Sequence, residues 1–163
     1  MGKYNNCKCA FVASAVVGLA NAAQAATATS TFQVAASVLS TCQVSSANID
    51  FGTYDPLAAV GLSSNGNVQI TCTLSTPYSI GFNTGSGDST ATRKMRSGSQ
   101  TLNYALYRDL GRTLNWGDSI GTDTLAGIGT GLPVLHTVYA FLPSGQIVPN
   151  GTYSDTITVT VTY

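Results

Sequence analysis

The stretch 150–163 alternates residue by residue. Tyr153, Ile157, Val159, Val161 and Tyr163 fall on one side, with Asp155 in phase, and Ser154, Thr156, Thr158, Thr160 and Thr162 fall on the other. A period of two turns one face of a β-strand toward a core and the other toward water. The β-branched Thr, Val and Ile suit the pleated backbone. The strand runs to the final residue of the chain, so a partner for its free side is expected from earlier in the chain or from another chain. That choice decides what the protein does.

The same period recurs upstream. Phe32, Val34, Ala36 and Val38 are in phase after residue 27, and the alternation predicts a strand there. Ile49-Asp50-Phe51-Gly52-Thr53-Tyr54 predicts a short strand stopped by Asp55-Pro56. Asn65-Gly66 is a turn signal. After it Val68, Ile70, Cys72 and Leu74 point inward and Asn67, Gln69, Thr71 and Thr73 outward. Tyr78, Ile80 and Phe82 start another strand, and Leu102, Tyr104 and Leu106 a further one. Residues 133–141 are apolar on both faces, as a central strand would be. The Gly-, Ser- and Thr-rich stretches 84–92 and 121–131 are expected loops. Arg93-Lys94-Met95-Arg96 is expected to be a solvated turn or an edge strand whose charges discourage stray pairing. Arg108-Asp109-Leu110-Gly111-Arg112 predicts a hairpin turn in which glycine takes the special backbone angle. No stretch keeps helical periodicity long enough to define a helix. Short strands between Gly, Pro and Asn turns predict an all-β sandwich.

The N-terminus has the form of a secretory leader. Lys3 and Lys8 flank a short apolar run, and Ala23-Gln24-Ala25 supplies an A-x-A cleavage site. Residues 1–25 are therefore expected to be removed, leaving one domain over 26–163. The apolar run is short of the roughly 20 residues that span a bilayer. Cys7 and Cys9 would leave with the leader. Cys42 and Cys72 then form an even pair in an exported chain, for which a disulfide is expected. The seven acidic residues are all Asp. A surface of Ser, Thr, Asn, Gln and Gly has no basic patch for nucleic acid.

Catalytic readings find little material. His136 is the only histidine, and its strand position beside Val134 and Val138 suits a structural role. There is no G-x-S-x-G elbow, too few ligands for zinc, and no calcium-loop spacing around Asp118 and Asp123. Asn150-Gly151-Thr152 has the form of a glycosylation sequon but also of a plain turn. No enzymatic activity, metal or cofactor is expected.

Taken in order, Cys42, the run Ile49 to Tyr54, Cys72, Tyr104-Ala105-Leu106-Tyr107, Trp116-Gly117-Asp118, Val138-Tyr139-Ala140 and Pro149-Asn150-Gly151-Thr152-Tyr153-Ser154-Asp155-Thr156 resemble the spore coat protein U-like family. That family includes subunits of archaic (Csu-type) chaperone–usher pili. Ala140-Phe141 departs from its usual Gly followed by a basic residue. The resemblance implies an incomplete immunoglobulin-like β-sandwich completed by donor-strand complementation. It further implies a periplasmic chaperone, an outer-membrane usher and other pilin subunits as partners, in a homo- or heteropolymer. The implied donor is 27–38, with Phe32, Val34, Ala36 and Val38 as plugs, although the same segment could be the first strand of its own domain. The implied acceptor edge is Ile157, Val159, Val161 and Tyr163.

The leading expectation is a structural pilin exported through the periplasm to the cell surface, serving surface attachment and biofilm formation. Two alternatives stand beside it. One is a secreted structural protein of a spore or cell coat. The other is a secreted small-ligand-binding sandwich, suggested by Trp116, the tyrosines and the Gly-rich loops.

Overall fold

The computed structural model describes residues 25–163. The chain divides into a part ending at Ala36 and a body from Ser37 to Tyr163. Residues 25–36 carry no regular secondary structure, and Phe32 and Val34 are 87% and 83% exposed. The alternation there thus records a capacity for strand pairing that is not used within the described chain. All but the last residue of the expected leader lies outside the described residues.

The body is all-β, with no helix among the described residues. Its strands are β1 (Cys42–Ser46), β2 (Leu62–Cys72), β3 (Pro77–Phe82), β4 (Arg93–Ser97), β5 (Gln100–Tyr107), β6 (Leu125–Ile128), β7 (Val134–Leu142) and β8 (Val159–Thr162). One sheet has the order β1-β2-β7-β5-β4, the other β6-β3-β8. Every pairing within them is antiparallel. As expected, β7 is central, between β2 and β5.

The core follows from the alternation. Val68, Ile70 and Cys72 of β2, Leu102, Tyr104 and Leu106 of β5, and Val138, Ala140 and Leu142 of β7 are buried from one sheet. Tyr78, Ile80 and Phe82 of β3 meet them from the other. Burying a large apolar side chain contributes about 1.5–3 kcal/mol. Trp116 is fully buried, stacked on Phe82 with ring centroids 4.3 Å apart, and its Nε1–H donates to the Ile80 carbonyl at 2.9 Å. A disulfide joins Cys42 to Cys72, tying the start of β1 to the end of β2.

Several local expectations give way to packing. Asn65-Gly66 is not a turn but the interior of β2, paired with Tyr139 and Val138. A side chain on Gly66 would collide with Ile49, so close approach explains that glycine. The stretch 49–54 is not a strand: Gly52 N–H donates to Asp50 Oδ1 at 2.8 Å, and Gly52 takes φ +71°. This local turn pulls the backbone out of the extended form. The stretch 121–131 is not all loop, because β6 lies within it. In the 108–112 turn the positive φ belongs to Arg112, at 56°, rather than to Gly111. Asp109 holds this turn by accepting from the Leu114 and Thr113 N–H groups, which keep its carboxyl below the usual carboxylate range.

Candidate functional site

The most open feature of the body lies between the free edges of its two sheets. β1 is the edge of one and β8 the edge of the other. They approach one another at the disulfide end. Beyond β1 the two walls part, and a groove of about 1190 Å³ opens between residues 46–54 and residues 148–159. Its floor consists of core side chains from both sheets, including Val68, Phe82, Leu102, Tyr104, Leu106, Val138 and Leu142. Ile49 and Phe51 line one wall; Val148, Tyr153, Ile157 and Val159 line the other.

The second wall also presents an open backbone. The Thr158 carbonyl accepts from the Asn83 N–H at 3.2 Å, and Thr158 N–H donates to Asn83 Oδ1 at 2.9 Å. Ser154 and Arg96 exchange backbone hydrogen bonds of 2.8 and 3.1 Å. The even-numbered residues therefore bond toward the existing sheets. Successive residues of an extended chain turn their N–H and C=O groups to opposite sides, so Ile157, Val159 and Val161 turn theirs toward the open edge. Those same residues are half-buried and packed against the core. A half-closed apolar groove beside unpaired backbone is costly in water.

One polar cluster interrupts the apolar lining. Asp155 Oδ2 accepts from the Tyr104 hydroxyl at 2.6 Å, and its Oδ1 accepts from the N–H groups of Ser86 at 2.8 Å and Thr156 at 2.9 Å. Burial, reinforced by the Asp155 carboxylate, raises the Tyr104 phenol far above its usual range, so it stays a donor. A side chain on Gly85 would overlap the Asp155 carboxylate. Asp155 thus fixes the outer wall to the loop after β3.

Arg93 supports the groove from behind and is completely buried. Its Nε donates to Asn83 O at 2.9 Å, Nη1 to Thr90 O at 2.6 Å, and Nη2 to Phe82 O at 3.0 Å and Trp116 O at 2.7 Å. The expectation of a solvated basic cluster thus holds for its neighbours on edge strand β4 and fails for Arg93. Nothing in the charge run distinguishes this arginine; only the tertiary fold gathers four carbonyls around it. Desolvation lowers its pKa, partly offset by Tyr104 and nearby aspartates.

The other singled-out residues are placed as follows. His136 is half-buried on β7, its Nε2 lies 3.0 Å from the Tyr78 hydroxyl, and burial lowers its pKa. Trp116 is unavailable to a ligand. Among the described residues no group of three or more His, Cys, Asp or Glu side chains could hold a metal. Val38 is 88% exposed, and Tyr163, beyond β8, is 57% exposed. Ile49, Phe51, Met95 and Tyr104, which also line the groove, were not distinguishable in the sequence from ordinary core positions.

The Spore Coat Protein U domain model matches residues 28–160. The chain belongs to the Spore Coat Protein U family. Its curated relative "Protein U" of Myxococcus xanthus is 39% identical over 158 residues, covering 86% of this chain and 88% of the relative. Among solved structures, the chaperone–tip adhesion subunit pre-assembly complex from archaic chaperone–usher Csu pili of Acinetobacter baumannii aligns with a TM-score of 0.59 at 24% identity. That alignment covers 77% of this chain and 40% of the solved chain, so this chain spans about two fifths of its length. A chaperone–tip adhesin complex of CFA/I fimbriae aligns with a TM-score of 0.47 at 16% identity, over 74% and 42% of the two chains. The likeness to the Csu complex identifies the body as the immunoglobulin-like sandwich of pilus subunits. Membership of a coat-protein family marks the chain as structural rather than enzymatic.

Proposed function

We propose that the chain is a structural subunit that polymerises by donor-strand exchange into an archaic chaperone–usher pilus serving surface attachment and biofilm formation. The observation that carries this reading is the groove between β1 and β8, lined by core side chains and flanked by the open backbone of Ile157, Val159 and Val161. Such an edge is repaired by adding an extended strand. The groove wall 148–159 would run about 35 Å if extended at about 3.3 Å per residue, and the segment 27–38 would reach about 40 Å. Phe32, Val34, Ala36 and Val38 would lie in the groove, and Phe32 and Val34 are exposed and free to be donated.

The proposed route begins with removal of residues 1–25 and pairing of Cys42 with Cys72 in the periplasm. A periplasmic chaperone first lends a strand to the groove, a partner supported by the chaperone complexes among the structural relatives. An outer-membrane usher then exchanges that strand for 27–38 of the next subunit. The fibre stands at the cell surface.

The test is the double substitution Phe32→Asp and Val34→Asp. The variant should co-purify with its chaperone as a soluble complex, yet electron microscopy of cells should show no fibres. Normal fibres from this variant would sink the donor assignment. The 39% identity to Protein U supports a second reading, in which the same strand exchange builds a coat layer. Imaging the exported product separates filaments from a sheet-like coat.

A further inference from the structure

The ends of the sandwich carry a feature that strand exchange alone does not use. At the disulfide end, where β1 starts and β2 and β6 end, Leu39, Leu74, Ile128 and Leu132 are 66–81% exposed. They surround a hollow of about 630 Å³ walled by Leu39, Thr73, Leu74, Thr76 and Gly131. No charged residue occurs in 37–41, 73–76 or 128–133. At the opposite end the loop Pro56-Leu57-Ala58-Ala59-Val60-Gly61 leaves Leu57 86% and Val60 74% exposed. It is laced to residues 144–147 by Ser144 Oγ donating to Ala59 O at 3.3 Å and Gln146 N–H donating to Tyr54 Oη at 2.8 Å. Ile147 there is 78% exposed. One end is a concave apolar surface and the other a braced apolar knob. Exposed apolar groups gathered this way mark an interaction surface.

We infer that the knob of one subunit, built from Leu57, Val60 and Ile147, seats in the apolar hollow at the disulfide end of the next copy of this chain. The inference rests on the strand-exchange reading, which fixes the geometry. β8 runs from the knob end toward the disulfide end, because Phe82 pairs with Val159 and Ser79 with Thr162. Every strand pair within the two sheets is antiparallel, and a donated strand that continues the β6-β3-β8 sheet antiparallel to β8 leaves the groove at the knob end. Its last plug, Val38, is four residues before Cys42, a reach of at most about 14 Å. Cys42 is fixed to Cys72 at the hollow end. The tether therefore brings the donor's hollow against the acceptor's knob. The contact is heterologous, so it repeats along a filament without closing. It would limit bending at each joint, which the short linker Leu39-Ser40-Thr41 could not do alone.

The test uses the full chain with Val60→Cys and Leu74→Cys introduced together, co-expressed with its chaperone and usher, and mildly oxidised after assembly. A ladder of covalent multimers on a non-reducing gel is expected, with neither single variant giving one. As a second measurement, Leu57→Asp with Val60→Asp should leave polymer formation intact and lose the regular angle between subunits in electron micrographs. Polymers that form without the ladder, dimers from Leu74→Cys alone, or an unchanged joint angle in the charged variant would each overturn the knob-in-hollow contact while leaving strand exchange standing. Failure of the unsubstituted chain to polymerise would instead remove the strand-exchange reading, and this contact with it.

Discussion

Replacing Arg93 by methionine removes a guanidinium that closes four carbonyl groups and leaves an aliphatic side chain in its place. The Phe82 and Trp116 carbonyls lie in fully buried surroundings, at 3.0 and 2.7 Å from Nη2. Each buried acceptor left without a donor costs about 1–3 kcal/mol. The Asn83 and Thr90 carbonyls, bonded to Nε and Nη1, are nearer solvent and recover part of their loss from water. A total of about 3–6 kcal/mol follows, against about 5–15 kcal/mol for a whole domain. With a urea slope of about 2 kcal/mol per molar, the midpoint should fall by about 2 M, or folding should fail. Arg93→Lys should recover only part of the loss, because an ammonium has three donors and no planar fork. Trp116, the only tryptophan, reports on this site, since it stacks on Phe82 and its own carbonyl bonds Arg93. Urea unfolding followed by its fluorescence is the assay. A midpoint for Arg93→Met within about 0.5 M of the unsubstituted protein would refute the account, since an effect below about 1 kcal/mol is incompatible with two orphaned carbonyls.

Exchanging Cys42 and Cys72 together for serine should cost about 3–4 kcal/mol for a closed loop of this length, seen as reduced subunit yield. Mass spectrometry of non-reduced peptides from the exported protein should show the pair linked. Val159→Asp places an unpaired charge against the core and should cost several kcal/mol, so the subunit should be lost before assembly, measured as chaperone-bound protein in the periplasm. His136 has a depressed pKa through burial, so the unfolded chain binds its proton more readily. Its contribution to stability is full above the unfolded value of about 6.5 and declines as pH falls through it toward the lower folded value. His136→Gln should flatten that part of the stability–pH curve, measured by urea midpoints between about pH 5 and 8, without preventing assembly.

The sequence carried the sheets far better than it carried the groove. Val68, Ile70 and Cys72 and the long apolar β7 were legible because burial on one or both faces writes directly into a period of two. Asn65-Gly66 misled because a glycine selected for the approach of Ile49 looks the same as one selected for a turn. The strand expected at 49–54 was lost to a local competition, where the Asp50 side chain supplies a hydrogen bond that a neighbouring strand would otherwise provide. Ile157, Val159 and Val161 were legible as an inward face. Phe51, Met95 and Tyr104 were not legible as groove lining, because a side chain facing an open groove and one facing a closed core have the same chemistry. Arg93 was hidden inside a charge run whose other members are ordinary surface residues.

The same basic residues bear on survival outside the cell. Beyond residue 25 the chain has five lysines and arginines, Arg93, Lys94, Arg96, Arg108 and Arg112, all between β4 and the turn after β5. A protease that cuts after basic residues therefore finds no target in the first 67 positions after Ala25 or the last 51 of the chain. Of the sites it does find, Arg93 is sealed in the interior, Lys94 is paired with Asp88, and Arg96 and Arg108 are bonded to carbonyl oxygens. Digestion by a trypsin-like enzyme must await unfolding of the β4–β5 hairpin, so resistance to it depends on the interior rather than on any shielding coat.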